Sequence, residues 1–229
     1  MIVSLLIGLP GDRPGGGLLL SLVYFFASGA IALTAGGVYA MICVAWPRTS
    51  LVLQAGTAIL RGVPLILLVF LFANVSWFTA GIAGLVGLVV YSFGHVGETL
   101  RSFLAAYPKA SAEQARLMGI HPLRDWLQLR LPWTLWQSWT ALITHWVSLL
   151  KDTGALVVLG IGELTTTTKM FSEIAPSFEQ WAIVLLVAAA LYLGATLALI
   201  QFVPFAAGKL FRILQQREGT GSEPAQRYA

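Results

Sequence analysis

The sequence of 229 residues is poor in charge, in cysteine and in histidine. Only 10% of its residues are Asp, Glu, Lys or Arg, whereas about a quarter are charged in a typical soluble domain. This deficit excludes an ordinary soluble globular protein. The single cysteine, Cys43, leaves no basis for a disulfide or a cysteine-based metal site. Three scattered histidines and one cysteine also provide no cluster for a membrane-embedded enzyme.

The sequence also lacks the Gly-x-x-x-x-Gly-Lys-Ser/Thr pattern that cradles nucleotide phosphates. Its glycine run, Gly15-Gly16-Gly17, is followed by neither a lysine nor a hydroxyl residue. We therefore expect no cofactor bound by this chain, and any ATP and Mg²⁺ would be used by a partner subunit. The net charge of +4 is better explained by an excess of Lys and Arg on the cytoplasmic side of a membrane than by a nucleic-acid partner.

Long apolar runs are what the sequence has in their place. No charge occurs between Arg13 and Arg48, or between Glu179 and Lys209. Each run exceeds the roughly 20 residues that a helix needs to cross a bilayer. The runs do not alternate as the strands of a transmembrane β-barrel do. With a mean hydropathy of +0.79, the sequence predicts an all-α integral membrane protein that contacts membrane lipid.

The hydropathy predicts about five transmembrane helices, the second preceded by a short amphipathic segment. In chain order the predicted spans cover residues 18–46, 62–78, 81–103, 133–150 and 181–206. Residues 1–17 are predicted to be an N-terminal tail on the extracytoplasmic side. Residues 18–206 form a single transmembrane domain with a polar loop at 107–132, and residues 207–229 form a cytoplasmic tail, disordered from Arg217 onward.

The distribution of positive charge predicts the orientation in the membrane. With the polar loop inside, eleven of the Lys and Arg residues face the cytoplasm, and three are left outside: Arg13, Lys151 and Lys169. We therefore expect the N-terminus outside and the C-terminus inside. Small residues four apart favour close helix packing within the subunit over a dimer contact. They are Ala80/Gly84, Ala83/Gly87 and Ala190/Gly194.

The polar loop has the signals of two short helices separated by a turn. Ser111 and Gln114 match a capping box, which predicts a helix that starts at Ala112. Gly119 can end that helix in the left-handed conformation. Pro122 and Pro132 suit the first turns of the two helices that follow. Such an ordered basic loop is typical of a docking site for a soluble partner, although an amphipathic loop resting on lipid has a similar composition.

The spacing of this loop resembles the EAA loop of ABC-importer permeases, in which Glu-Ala-Ala-x-x-x-Gly is followed by Leu-Pro. Glu113-Gln114-Ala115, Gly119 and Leu131-Pro132 match that pattern, with Gln114 in place of an alanine. Further segments resemble motifs of the polar amino-acid permeases within that family. They are Arg61-Gly62-Val63-Pro64-Leu65, Glu98-Thr99-Leu100-Arg101, Pro108-Lys109, Ser148-Leu149-Leu150-Lys151-Asp152-Thr153, and Gly160 with Glu163-Leu164.

The resemblance implies a permease subunit of the bacterial cytoplasmic (inner) membrane that pairs with a second permease subunit, identical or related. It implies a dimer of cytoplasmic ABC ATPases that grips the two EAA loops, and an extracytoplasmic solute-binding protein that delivers the solute. The residues expected to couple this chain to the ATPase are Glu113, Gln114, Ala115, Arg116 and Gly119. Glu113 is expected either to stabilise the docking helix or to bind a basic group of the ATPase.

Ionisable groups at membrane depth usually face a cavity or a partner group. His95 and Glu98 share a face of the third span, and Glu98 is expected to pair with Arg101. On the fourth span, His145, Ser148 and Asp152 form one stripe, with Lys151 beside it. The residues expected to line the substrate path or its gate are His95, Glu98, His145, Ser148, Lys151 and Asp152. We interpret the two histidines as lining the path, with an interhelical hydrogen bond as the alternative for His95. Lys151 and Asp152 are interpreted as a gate or a structural pair; the alternative is that the stripe on the fourth span binds the ammonium and carboxylate groups of an amino acid. The outer threonine run, 165–168, is either a surface for the binding protein or a polar loop.

The resemblance favours an importer of polar amino acids. His95 and the segment Ile143-Thr144-His145 depart from the usual residues of the family, and these departures lie in the spans. An importer of another small solute, such as methionine or a quaternary amine, is therefore an alternative. A passive channel or scaffold is a second alternative, but such a protein has no need of a capped docking loop.

Overall fold

The computed structural model describes residues 2–7 and 16–218, and these residues form helices joined by short connections. The only β pairing among them is an isolated parallel bridge between Gly17 and Glu163. The predicted all-α class is therefore confirmed. The helices are α1 (Ile2–Ile7), α2 (Gly17–Ala45), α3 (Pro47–Gly62), α4 (Leu65–Ala73), α5 (Ala80–Ala105), α6 (Lys109–Leu117), α7 (Pro122–Arg124), α8 (Leu131–Gln137), α9 (Trp139–Asp152), α10 (Leu164–Glu173) and α11 (Phe178–Glu218). A π-helical turn, Asp125–Arg130, precedes α8, and a 3₁₀-helical segment, Thr153–Leu159, follows α9.

Four helical stretches of the described residues are long and apolar enough to cross a membrane. They are Gly17–Ala45, Ala80–Ala105, Trp139–Leu159 and Phe178–Gln201. A fifth span results if α3 and α4, which are bent by 96° at the break between them, are counted as one. The predicted number of about five spans agrees with this arrangement.

The second span is not the single straight helix that hydropathy predicts. Val63 adopts an extended conformation between α3 and α4, because the ring of Pro64 disfavours a helical conformation of the residue before it. Pro64 also has no N–H with which to continue the hydrogen-bond ladder. The amphipathic segment and the apolar segment therefore form two helices at a sharp angle.

The fourth span lies further along the chain than the predicted residues 133–150. The helix is interrupted at Ser138, which is fully buried, so α8 is a separate element on the cytoplasmic side of the predicted topology. After Lys151 and Asp152 the chain continues as a tight 3₁₀ segment, which Gly160 ends with a φ of +65°. The span was predicted to end at residue 150, before these two adjacent charges, but the apolar residues beyond them extend it to Leu159.

The centre of the bundle is the contact between α2 and α5, the most extensive helix pair among the described residues. Two glycines allow it: a Cβ added to Gly36 would lie 3.0 Å from the backbone nitrogen of Gly97. Without side chains at these positions the two backbones touch, and packing drives helix association in lipid. Apolar side chains from α2, α4, α5, α9 and the 3₁₀ segment form one core cluster around Phe25, Leu88 and Leu149.

Two of the predicted small-residue pairs pack within the subunit. A Cβ on Gly84 would lie 2.7 Å from Leu156, and one on Gly87 would lie 3.0 Å from Val69. The third pair differs, because nothing lies within 4 Å of the position a Cβ on Gly194 would take. The α11 helix that carries Gly194 also has exposed apolar side chains, such as Leu186 and Leu193.

The N-terminal helix contributes to the bundle. Residues 2–7, expected in a flanking tail, form α1, which packs against α2 and α10 with the Leu5 side chain fully buried. Gly16 and Gly17 then bind the carbonyls of Ile7 and Gly162. At the other end α11 continues through the predicted tail boundary to Glu218. Residues 219–229, which include most of the predicted disordered segment, lie outside the described residues.

Candidate docking loop and translocation path

The first helix of the polar loop, α6, begins three residues before the predicted start. Pro108 precedes it with a φ of −59°, and the N–H of Ala112 donates to the Pro108 carbonyl. The Pro108 carbonyl thus accepts the first hydrogen bond of the helix, so α6 starts directly after the proline. The predicted capping box of Ser111 and Gln114 is therefore wrong, since both residues lie inside α6.

The end of α6 is as predicted. Gly119 has a φ of +69°, and its N–H donates to the carbonyl of Arg116, while Ile120 donates to Ala115. These two bonds form a Schellman motif, which satisfies carbonyls that the helix would otherwise leave free. Because a Cβ at Gly119 would meet no atom within 4 Å, only the backbone conformation requires glycine there.

The residues predicted to couple to an ATPase lie mostly on the outside of this helix and turn. Glu113, Gln114 and Arg116 are exposed, and Glu113 forms no ion pair with the described residues. Leu117 and Met118, at the tip, are 87% and 76% exposed. Ala115 differs from the others, because it is only 3% exposed and faces the protein itself.

The chain returns from the loop through a second capped turn. Pro122 occupies the first turn of α7, as predicted, and the Nδ1 atom of His121 accepts a hydrogen bond from the Leu123 N–H. The π-helical turn follows, and within it Arg130 pairs with Asp125, with 2.7 Å between Nη2 and Oδ2. Sequence reasoning missed both features. His121 just before a proline was an available cap signal, but nothing in the sequence announces a π-helical turn.

Glu98 and Arg101 form the ion pair that their spacing predicts. Two bonds join them, with 2.6 Å from Nη2 to Oε1 and 2.8 Å from Nε to Oε2. The hydroxyl of Tyr39, on α2, also donates to Glu98 at 3.4 Å and lies 3.0 Å from the hydroxyl of Thr57 on α3. The pair therefore ties α5 to α2 and α3, which is a structural arrangement.

His95 and His145, predicted on different spans, lie side by side. Their rings stack with 5.4 Å between centroids and 26° between planes. The ring of Tyr91 lies 4.9 Å from His95 and 6.3 Å from His145. The Nε2 atom of His145 is 3.1 Å from the hydroxyl of Ser92. The structure thus brings α5 and α9 together through an aromatic and polar cluster, which we call the histidine cluster: Tyr91, Ser92, His95 and His145.

Ser148, Lys151 and Asp152 follow His145 along α9. Ser148 and Asp152 are partly buried, whereas Lys151 is exposed. Within the described residues, Lys151 and Asp152 form no ion pair with each other or with another group. The structural ion pair expected between them is therefore not formed among the described residues, and the gate role stays a prediction.

Glu163 is a functional candidate that the sequence motif named but did not explain. Its carboxylate is fully buried and accepts hydrogen bonds from the backbone N–H groups of Thr165 and Thr166, at 2.8 Å each. Ser21 of α2 donates to it at 3.2 Å and Tyr192 of α11 at 3.4 Å. Burial raises the pKa of this carboxyl, since desolvation outweighs the donors that favour the charged form.

The threonine run beside Glu163 is neither an exposed binding surface nor a polar loop. Glu163 caps α10, and the run lies in its first two turns. Thr166, Thr167 and Thr168 are buried, because their helix packs against α11 and α2. Among the described residues, no group of three His, Cys, Asp or Glu side chains is placed to hold a metal ion.

Comparison with solved structures identifies this arrangement of helices. A chain of an amino acid ABC transporter crystallised with histidines aligns with a TM-score of 0.68 and 22% identity, over 83% of this chain and 90% of that one. The chain has the fold of an ABC transporter permease. The methionine ABC transporter MetNI, in an inward-facing conformation, also aligns with a TM-score of 0.68, at 20% identity over 86% and 94% of the two chains.

Curated sequences point to the same kind of permease. A probable glutamine ABC transporter permease protein, GlnP of Bacillus subtilis (strain 168), is 25% identical over 79% of this chain and 82% of its own length. The arginine ABC transporter permease protein ArtQ of Escherichia coli (strain K12) is 28% identical, over about half of each chain, 51% and 48%. No protein-family model matches the chain. These similarities confirm the resemblance to polar amino-acid ABC permeases that the sequence motifs indicate.

Proposed function

We propose that this chain is the membrane-spanning permease subunit of an ABC importer for polar amino acids. The observation that supports this most directly is the polar loop at residues 107–132, which we call the docking loop. In it, a helix capped at its C-terminal end by the Gly119 turn holds Glu113, Arg116, Leu117 and Met118 outward on an ABC permease fold. A loop that is both fixed in shape and exposed at its tip suits a groove on a soluble partner.

In this proposal the chain supplies the path and a partner supplies the energy. Two cytoplasmic ATPases bind ATP and Mg²⁺, and each grips one docking loop. A second permease subunit, identical or related, completes the path, and an extracytoplasmic binding protein delivers the amino acid. The chain lies in a bacterial inner membrane with its N-terminus outside and its C-terminus inside, because most of its positive charges then face the cytoplasm.

Co-purification and uptake together test this function. The tagged chain is solubilised from native membranes in a mild detergent, and its partners are identified by mass spectrometry. The recovered complex and its binding protein are then reconstituted in proteoliposomes with labelled glutamine, arginine, histidine and methionine. We expect an ATPase with a nucleotide-binding motif to co-purify, and ATP-dependent uptake of a polar amino acid.

The same panel separates the alternatives. Uptake of methionine alone assigns the chain to another solute. Flux of solute without ATP indicates a passive channel. A chain that emerges alone from several mild detergents contradicts the proposal.

We further propose that the histidine cluster lines the substrate path, with Ser148, Lys151 and Asp152 on the outer side forming a gate. His145 is only partly buried although it lies on a membrane span, and ionisable groups at that depth commonly mark a substrate route. His145→Ala is expected to change the apparent affinity or the preference among the four amino acids. Thr144→Ala is the matched control, because that exposed hydroxyl binds only the Thr140 carbonyl of its own helix, at 2.9 Å. An unchanged uptake profile for His145→Ala removes the cluster from the path.

A further inference from the structure

The base of the docking loop contains a buried ion pair that the proposed function does not use. Asp125, at the start of the π-helical turn, is 5% exposed, and the Arg130 side chain at its end is 15% exposed. Both Nε and Nη2 of Arg130 bind Oδ2 of Asp125, at 2.8 and 2.7 Å. The guanidinium is thereby fixed in direction as well as in position.

The π-helical turn is what makes this pair possible. In an α-helix, residues five apart point about 140° away from each other. A π-helix closes its hydrogen bonds between residues five apart, so Asp125 and Arg130 face one another. The π-helical turn therefore holds the Arg130 guanidinium against the end of the docking loop.

Arg130 also contacts aromatic rings from both ends of the loop. Its guanidinium carbon lies 5.4 Å from the ring centroid of Tyr107, which precedes α6, and 4.8 Å from that of Trp126, which follows it. Tyr107 in turn meets the ring of Trp133 on α8 at 5.2 Å. The Arg130 side chain thus connects the segment that enters the loop to the segment that leaves it.

The group of Arg130, Asp125, Tyr107 and Trp126 is anchored to the apolar core of the helix bundle. Trp126 packs against a buried apolar cluster contributed by α2, α5 and α9. On the loop side, the connection between Tyr107 and Asp125 consists of α6, the Gly119 turn and α7. The exposed tip of α6 is therefore connected to the rest of the protein through the group around Arg130 and through the buried side of α6 at Ala115.

Stability alone is a poor explanation of the ion pair. Burying two charges costs desolvation, and apolar residues of similar volume often serve equally well. The other oxygen of Asp125, Oδ1, is buried and has no hydrogen-bond partner among the described residues, which costs further free energy. What the pair offers that apolar residues do not is a fixed direction for the guanidinium between two rings.

We propose that Arg130, oriented by Asp125 and stacked on Tyr107 and Trp126, is a positioning residue that clamps the base of the docking loop. This clamp makes the loop move as one rigid body, so that motion of the ATPase reaches the third and fourth spans together. The inference rests on the proposed function, because it assigns the clamp to ATP-driven transport.

The test compares uptake with ATP hydrolysis in the reconstituted complex of this chain, its ATPase and its binding protein, with the four labelled amino acids as probes. The main variant is Asp125→Leu/Arg130→Met, which replaces the pair by apolar residues and leaves no unpaired buried charge. We expect the ATPase to co-purify in the wild-type amount, while uptake per ATP hydrolysed falls by about two- to thirtyfold. Arg48→Met is the control, since that arginine is exposed and distant in the sequence from the loop; its ratio should match the wild type.

A wild-type ratio in the double variant overturns the clamp, and so does an equal fall of uptake and hydrolysis, which indicates a structural role only. If the double variant does not assemble, Arg130→Lys decides by the same ratio. Lysine keeps the charge beside Asp125 but loses the planar fork and the stacking, so its ratio should also fall. A wild-type complex without an ATPase overturns the proposed function itself, and the clamp with it, before any variant is compared.

Discussion

The Glu163 carboxylate receives hydrogen bonds from groups on three helices: Ser21 on α2, Thr165 and Thr166 on α10, and Tyr192 on α11. Each donor offsets part of the cost of burying a carboxyl group. Because the pKa of Glu163 is raised by burial, the folded protein binds a proton there more readily than the unfolded chain does.

This shift gives a pH dependence with a definite sign. A raised folded-state pKa means that the protonated carboxyl stabilises the fold fully below pH 4.5, the ordinary value, and that this stability is lost as the pH rises through the raised pKa. We expect the melting temperature of the detergent-solubilised wild type to fall over that window relative to Glu163→Gln, which does not titrate. Parallel melting curves for the two proteins across the window would contradict the assignment.

Removing the Glu163 side chain has a separate, pH-independent consequence. Glu163→Ala removes the acceptor of the Thr165 and Thr166 N–H groups in the first turn of α10, and it leaves the buried Ser21 hydroxyl only the Gly17 carbonyl, at 3.5 Å. We expect it to lower the free energy of unfolding by about 1–3 kcal/mol, measured by thermal or denaturant unfolding in detergent. Glu173→Ala is a suitable control, since that carboxylate is 64% exposed, and it should change stability little.

At the scale of the element, the docking helix depends on its terminal turn. Gly119 lies in the left-handed region in open space, so a substitution there changes the backbone without a steric clash. That separation makes it possible to disturb the direction of the loop while leaving the membrane helices intact.

The effect of a substitution at Gly119 should therefore depend on how readily the new residue adopts the left-handed conformation. We expect Gly119→Val to abolish ATP-driven uptake while the subunit stays in the membrane, and Gly119→Asn to be milder, because Asn tolerates the left-handed conformation better than a β-branched residue. Gly56→Ala, in a helix with equally open surroundings, should be neutral. Uptake and membrane content are measured side by side, and normal transport by Gly119→Val would rule out the coupling role.

At the scale of the whole molecule, the bundle places the docking loop and the Glu163 network at the two ends of the spans. The tip of the loop has Leu117 exposed, and Ile174, after α10, is 74% exposed at the other end. These two positions therefore report the orientation of the entire protein.

Single cysteines at the two positions, in a Cys43→Ser background, test the predicted orientation. A thiol reagent that does not cross membranes should label Ile174→Cys on intact cells, and Leu117→Cys only after the cells are permeabilised. The opposite pattern would reverse the topology and place the docking loop where no cytoplasmic ATPase can reach it.

The features that the sequence predicted and those that it missed differ in how far apart their residues lie in the chain. The apolar runs, the Gly119 turn and the Glu98–Arg101 pair depend on residues close in the chain, so their spacing is visible in the sequence. The bend at Pro64 was readable in principle, since a proline restricts its neighbour, but hydropathy averages over it. The stacking of His95 on His145 and the bond from Ser21 to Glu163 join distant residues, and only the packing of helices brings them together.

The bond between Ser21 and Glu163 also fixes an order of events during biosynthesis. The two residues are 142 positions apart, and at about 5–20 residues per second the ribosome needs roughly 7–30 s to supply the second after the first. During that interval the Ser21 hydroxyl has only its own helix to bind, through the Gly17 carbonyl at 3.5 Å. The first span therefore waits in the bilayer without its final partner, and this end of the bundle closes only after Glu163 has been synthesised.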